Sequence, residues 1–327
     1  MNPDRPDAAA GAADPRASIK GLACGIGAGA LWGLVFVAPE LVRDFSALHL
    51  SAGRYLGYGL IAAVLLAPRW PALRPHVHAR QWRDLAWLAL AGNTLYYLLL
   101  ATAVQTGGIA MTSLVIGFMP VAVTIIGSRD EGAVPMRKLV PSLLLCAAGA
   151  VCIGAQALGG QHDDGSIAER AIGLLCAIGA LTSWTSYAIG NARCLRRLPR
   201  VSAHDWNLLT GVVTGLQSLV LIPIAFALDA GHHETGAWLR LGAVSAAVAV
   251  FASMLGNALW NQMSRLLPLT LVGQMILCET VFALLYGLAW ERRLPTLLEA
   301  AALACVTLSV LSCVAAHRRP VVVEMTA

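Results

Sequence analysis

Residues Leu269 to Arg293, LTLVGQMILCETVFALLYGLAWERR, read as one apolar helix of membrane-spanning length with a carboxylate, Glu279, near its middle. At about 1.5 Å per residue, Glu279 lies roughly 15 Å from Leu269, about half the hydrocarbon thickness of a bilayer. An acid at that depth costs about 2.5–3.5 kcal/mol on insertion scales, so it is expected to face a bundle interior or an aqueous cavity rather than lipid. The rest of the chain must supply the enclosure.

Composition agrees with a membrane setting. Apolar residues make up 57% and charged residues 13% of the 327 residues, against about 45–50% and about 25% in soluble domains. At roughly 20 residues per span, there is room for about ten helices with short loops. Ten apolar runs are visible: Gly21 to Pro39, Leu48 to Leu66, Leu85 to Val104, Ile109 to Ile126, Leu139 to Leu158, Ala171 to Tyr187, Leu208 to Leu228, Ala237 to Trp260, Leu269 to Ala289 and Leu297 to Ala316. Pro39, Gly107-Gly108, Gly159-Gly160, Pro268 and Pro295 mark boundaries, since proline lacks a helical donor and glycine relaxes the backbone. Residues 1–19 mix Ala, Pro and Asp without periodicity and without the features of a signal peptide, and read as a disordered cytoplasmic tail. Residues 317–327 read as a second cytoplasmic tail.

With the N-terminus cytoplasmic, the inner segments hold seventeen Lys and Arg residues and the outer segments five. This asymmetry predicts both termini inside, in the cytoplasmic (inner) membrane of a cell. It also accounts for the net charge of +5 without a nucleic-acid partner. The remaining basic residue, Arg54, falls within the second run.

The chain repeats internally. At an offset of 160 residues, Val121, Gly127, Glu131 and Pro135 match Val281, Gly287, Glu291 and Pro295; at 152, Gly27-Ala28 and Trp32 match Gly179-Ala180 and Trp184. Each half holds five spans, an odd number, so the halves are expected to insert with opposite orientation. Inverted repeats with a midplane site at their interface are a transporter design. The predicted fold class is therefore all-α integral membrane, ten transmembrane helices in two inverted five-helix repeats, spanning residues 20–158 and 168–316.

ALWGLVF in the first run, AGRYLGYGL in the second, TAVQTGGIAMTSLVIGFMPVAVTIIGSRDE and NALWNQMSRLLPLTLVGQMILCETVFALLYGLAWERRLP together resemble EamA-type members of the drug/metabolite transporter superfamily. The resemblance spans residues 20–316 and implies two inverted EamA repeats, alternating access, and export or exchange of small metabolites or amino acids. One departure stands out. Where the family's ninth helix often reads Glu-Pro-Val, this chain has Glu279-Thr280-Val281, while the fourth run keeps Pro120 behind Met119. A threonine hydroxyl bends a helix only modestly.

The site candidates each carry two readings. Glu279 is either a proton-coupling carboxylate or a hydrogen-bonding link between helices. Arg54, roughly 9 Å into its helix, is first read as snorkelling to the headgroups and second as an anchor for a substrate carboxylate. Trp32, Asn93, Tyr97, Trp184, Asn257, Trp260, Asn261 and Gln274 are candidates to line a mostly apolar cavity, with helix packing as the competing role. Trp70, Trp82, Trp206 and Trp238 read as an interfacial belt. The close glycines, Gly25, Gly27 and Gly29, then Gly57 and Gly59, read as helix-packing positions.

Enzyme chemistry is disfavoured. The eight histidines fall outside or at the edges of the runs, neither His-Glu-x-x-His nor Gly-x-Ser-x-Gly occurs, and the cysteines form no Cys-x-x-Cys. No cofactor or metal is expected. Without a nucleotide-binding motif, energy is expected from a proton gradient or substrate exchange. The function expected is a secondary transporter of small metabolites, amino acids foremost, with multidrug or cationic efflux as the alternative. A non-transporting scaffold is the alternative of another class, and it leaves Glu279 without a purpose. The expected partners are a small-molecule substrate, the lipid bilayer and protons.

Overall fold

A computed structural model of the protein describes residues 15–122, 136–159, 166–198, 200–229, 231, 233–266 and 269–317. Both terminal tails beyond these residues, and the GSRDEGAVP copy of the internal repeat from Gly127 onward, lie outside the described residues. Ten long helical segments are described: α1 Pro15–Leu41, α2 Ala47–Leu66, α3 Ala79–Gly107, α4 Ile109–Ile116, α5 Met136–Gly159, α6 Ile167–Arg196, α7 Ala203–Leu228, α8 235–266, α9 Leu269–Glu291 and α10 Leu297–His317. Six described stretches are long and apolar enough to cross a membrane: Ile19–Leu41, Ala47–His76, Ala79–Gly107, Ile167–Asn191, His204–Leu228 and Thr235–Trp260. Ile109–Ala122 and Leu297–Ser309 are apolar but shorter.

Local chemistry sets several of these ends. α1 is described from Pro15, before the predicted start at residue 20. Between α3 and α4, Gly108 takes φ +83°, a conformation that only glycine adopts without strain. At the start of α7, Ser202 Oγ accepts the Asp205 N–H at 3.0 Å. At the start of α10, Thr296 and Glu299 satisfy each other's backbone donors, at 2.8 and 3.2 Å, as a capping box.

Two helices are not α-helical throughout. α3 passes through a π-helical segment at Leu90–Thr94 and α8 through one at Ala249–Gly256. α4 is interrupted after Ile116 by a turn at Gly117-Phe118, just before Met119-Pro120, whereas α9 runs unbroken through Glu279-Thr280.

The packing has a two-fold pattern. α2 lies on α7, α5 on α10 and α4 on α9, while α1 contacts both α9 and α8, and α6 contacts both α4 and α3. Exchanging the first five helices for the last five maps this set of contacts onto itself. The α2–α7 crossing is very close, because a Cβ on Gly59 would lie 2.5 Å from Gly215 Cα. In that pair His49 at the start of α2 lies against Phe226 near the end of α7, while Ala62 near the end of α2 meets Gly211 nearer the start of α7. The two helices run antiparallel. So do α5 and α10, joined where Ser142 Oγ donates to the Ser309 carbonyl at 2.9 Å and Ser309 Oγ donates to the Ser142 carbonyl at 2.8 Å. The largest core cluster is built on Phe36, Tyr55, Tyr58, Tyr97 and Leu100, from α1, α2 and α3, closed by Val248 and Ala252 of α8. Leu60, Val64, Leu144, Val151, Leu216 and Val220 point outward, an apolar exterior that suits acyl chains rather than water.

Candidate functional site

The two charges predicted inside spans both turn into the bundle. Arg54 is 8% exposed and Glu279 9%. The Arg54 guanidinium donates through Nε and Nη2 to Ser253 Oγ of α8, each at 3.3 Å. Its Cζ stands 4.1 Å from the centre of the Tyr97 ring and 5.0 Å from that of Tyr55. These faces attract a cation, by about 2 kcal/mol when the contact is desolvated.

That arrangement corrects the snorkelling reading of Arg54. The residues before it, Ser51-Ala52-Gly53, are small, and α8 packs so closely that a Cβ on Gly53 would lie 2.5 Å from Ser245 Oγ. The arginine stem is held along this contact by the two rings and Ser253 instead of running out to headgroups. Its third nitrogen, Nη1, and the hydroxyl of Tyr97 are both buried without a hydrogen-bond partner. The Tyr97 hydroxyl is near enough to Arg54 to interact with it, and buried polar atoms are nearly always satisfied, so the Arg54–Tyr97 pair marks a place for a further polar ligand group or water.

Glu279 reaches the interior because α9 lies directly on α1. A Cβ on Gly29 would fall 2.6 Å from Cys278 Cβ and 2.9 Å from the Glu279 nitrogen, leaving no gap for lipid between the helices. The carboxylate interacts electrostatically with Arg54 and with Tyr96 of α3. Among the described residues it nevertheless forms no ion pair within 4.0 Å, and neither does Arg54. A guanidinium and a carboxyl group thus sit in one buried region without an ion pair between them within 4.0 Å.

The other predicted residues divide. Trp32 donates from Nε1 to the Ala252 carbonyl of α8 at 3.1 Å and lies 5.0 Å, ring to ring, from Trp260. Asn257 reaches Asn207 Oδ1 of α7 at 3.5 Å. Asn93 donates to Thr214 Oγ1 of α7 at 3.1 Å, a contact of the helix-packing kind, and Trp184 faces Tyr187 on its own helix at 6.0 Å. The side chains of Asn261 and Gln274 lie outside the described residues.

Several residues escaped sequence reasoning. Tyr55 and Ser253 complete the surroundings of Arg54, and only the adjacency of Tyr55 to Arg54 was a signal. His49, placed by sequence at a span edge, is buried in α2 at 4% exposure. It shares Asp229 with His233, at 3.6 and 3.3 Å, among Phe45, Phe226 and Trp238. At the opposite end of the same helix pair, Arg69 donates to Asp205 at 2.5 Å. Among the described residues no group of three or more His, Cys, Asp or Glu is arranged to hold a metal.

Duplicated helical halves with a lipid-suited exterior and buried, unpaired charges between them define a membrane transporter. The chain belongs to the EamA-like transporter family, whose model matches residues 19–155 and again 171–314. Inner membrane protein YtfF of Escherichia coli (strain K12) is 30% identical to it over 312 residues, 91% of this chain and 96% of that protein. A solved crystal structure of a protein at 16% identity matches with a TM-score of 0.59, over 93% of this chain and 99% of that one, and this likeness speaks to the fold.

Proposed function

We propose that the protein is a secondary transporter of the inner membrane that exports or exchanges small metabolites, amino acids foremost, by alternating access. Ten spans form two inverted five-helix repeats, over residues 20–158 and 168–316, with both termini cytoplasmic. The antiparallel packing of α2 on α7 and of α5 on α10 supports the inversion, and the excess of Lys and Arg in alternate loops supports the orientation.

The observation that carries the reading is the buried Arg54 guanidinium, held against the Tyr97 ring with its Nη1 lacking a partner, and Glu279 buried in the same region. An α-amino acid offers a carboxylate and an ammonium group on adjacent bonds. Its carboxylate satisfies Nη1 and the tyrosine hydroxyl, its ammonium group faces Glu279, and the rings of Trp32, Trp260 and Tyr97 border the side chain. Glu279 also serves as the group that exchanges a proton when substrate is absent. Each half of the substrate's charge is thus read by a different repeat.

Transport into proteoliposomes tests this, using a panel of radiolabelled amino acids under an imposed pH gradient. A charge-assisted hydrogen bond is worth about 1.5–3 kcal/mol, so Arg54→Ala is expected to weaken binding about 10- to 100-fold. Glu279→Gln is expected to abolish uptake driven by the gradient. Intact, pH-dependent uptake by Glu279→Gln, or a wild-type protein that moves no amino acid, overturns the proposal.

A further inference from the structure

The π-helical segments of α3 and α8 are one joint built twice. Around them the sequence reads Gly92-Asn93-Thr94-Leu95-Tyr96 and Gly256-Asn257-Ala258-Leu259-Trp260, the same Gly-Asn-x-Leu-aromatic order 164 residues apart. A π turn holds one residue more than an α turn, so some of its carbonyls lack the usual intrahelical donor and are open to partners from outside. Both segments are used in this way. Ser183 Oγ of α6 donates to the Ala91 carbonyl at 2.7 Å, and Trp32 Nε1 of α1 donates to the Ala252 carbonyl at 3.1 Å.

The same two helices press an aromatic ring onto the glycine of each joint. A Cβ on Gly92 would run into the ring of Tyr187 of α6, and one on Gly256 would lie 2.7 Å from Trp32 Nε1 of α1. Since α1 and α6 occupy equivalent places in the two halves, the joints correspond helix for helix though not residue for residue, the freed carbonyl lying one residue before Gly92 and four before Gly256, and each joint crosses between repeats. α1 of the first half docks in α8 of the second, and α6 of the second docks in α3 of the first. Just past the π turn of α3 come Tyr96 and Tyr97, and Tyr97 stacks on Arg54; just past that of α8 comes Trp260, against Trp32.

We propose that the two π segments are a matched pair of hinges about which the repeats rock, and that they couple this motion to the site. Moving the extra residue along either helix changes which carbonyl is free and re-aims the residues beyond it. In α3 that swings Tyr97 relative to Arg54, and in α8 it swings Trp260 relative to Trp32. Hinge positions of this kind absorb backbone change away from the bound ligand. The inference rests on the alternating-access reading above.

The test uses the full chain in lipid nanodiscs, with native cysteines replaced and paired spin labels on the α1–α2 and α7–α8 connections. Pulsed electron resonance then reads the distances. Wild type is expected to show two distance populations. Deleting Leu90, or Val250, removes the extra residue and is expected to collapse the distribution to one population, at least tenfold enriched over the other. Ser183→Ala, which keeps the helix length and loses only the donor to the freed carbonyl, is expected to shift the ratio of populations roughly fivefold, the scale of one hydrogen bond, and Trp32→Phe, which also loses indole contact with Gly256 and Trp260, at least as far. If the deletion proteins do not fold, these two substitutions decide. Wild-type ratios in both of them, or two wild-type populations retained in a folded deletion protein, overturn the hinge. A single distance in wild type under all conditions overturns the alternating-access reading itself, and the hinge with it.

Discussion

The two halves of the molecule share a scaffold and differ in charge. Equivalent residues meet across the pseudo-two-fold at Gly59 with Gly215 and at Ser142 with Ser309, and the two π joints match. Yet Glu279 of α9 stands where α4 has Met119, and at the offset set by Gly59 and Gly215, Arg54 of α2 stands where α7 has Thr210. A fully symmetric copy would bury either two acids and two arginines or none. Two like charges in one apolar region raise the desolvation cost and repel each other, whereas a single opposite pair leaves the region near neutrality. Duplication accounts for the shared frame, and departure from duplication for the buried charges.

The largest break in the shared frame is expected at the α2–α7 crossing. Backbones there approach too closely for any side chain, and a leucine at either glycine forces the helices apart along their whole contact. Overpacking of a tight site costs about 1–3 kcal/mol and more where backbone is the obstacle. Gly59→Leu and Gly215→Leu are both expected at or beyond the top of that range, with loss of monodisperse protein in size-exclusion chromatography. Equal damage supports a symmetric crossing; a mild effect at one glycine with a severe effect at the other breaks the symmetry.

The ends of the same helix pair sharpen the comparison in the opposite sense. His49 at the start of α2 meets Asp229 past the end of α7, and Asp205 at the start of α7 meets Arg69 past the end of α2. The two clasps are related by the exchange of halves, but their surroundings differ. His49 is enclosed by Phe45, Phe226 and Trp238, while the Arg69 side chain is 48% exposed. Truncating the enclosed ring leaves a cavity beside the retained Asp229–His233 pair, so His49→Ala is expected to cost about 2 kcal/mol. Arg69→Ala removes a pair screened by solvent, worth about 0.5 kcal/mol. Thermal unfolding in one detergent compares them directly, and an Arg69 effect equal to that of His49 contradicts the ranking.

How much of this was legible beforehand varies with the physics involved. Apolar runs and turn residues report helices directly, because membrane insertion demands length and composition, and every one of the ten runs overlaps a described helix. Glu279 was legible because an acid in an apolar run is costly wherever it points. Arg54 was visible but misread, since its burial depends on the rings of Tyr55 and Tyr97 and on Ser253 in the other half, 199 residues away. The π segments were invisible for a different reason: one extra residue in a turn leaves composition and hydropathy unchanged. Their trace is the Gly-Asn-x-Leu-aromatic repeat at an offset of 164, close to the offsets of 160 and 152 that marked the duplication. His49 does lie at a span edge, in the first turn of α2, but its burial was not legible because the loop residues that enclose it, Phe45 and His233, carry no helical period.

The smallest expected effect is the cleanest measure of symmetry. Ser142 and Ser309 each donate to the other's carbonyl, so either substitution to alanine removes one bond and leaves the other donor in place. Hydrogen bonds between membrane helices average about 0.6 kcal/mol, because the unfolded helix also finds partners in the bilayer. Ser142→Ala and Ser309→Ala are therefore each expected to lower stability by about that amount. The double substitution removes both bonds and also tests coupling: if each bond holds the other in geometry, the double variant loses less than twice the single loss, because the first substitution has already weakened the second bond. Unequal single losses would mean that α5 and α10 meet off the pseudo-two-fold. The crossing that looks most symmetric in its atoms would then be unsymmetric in its energies.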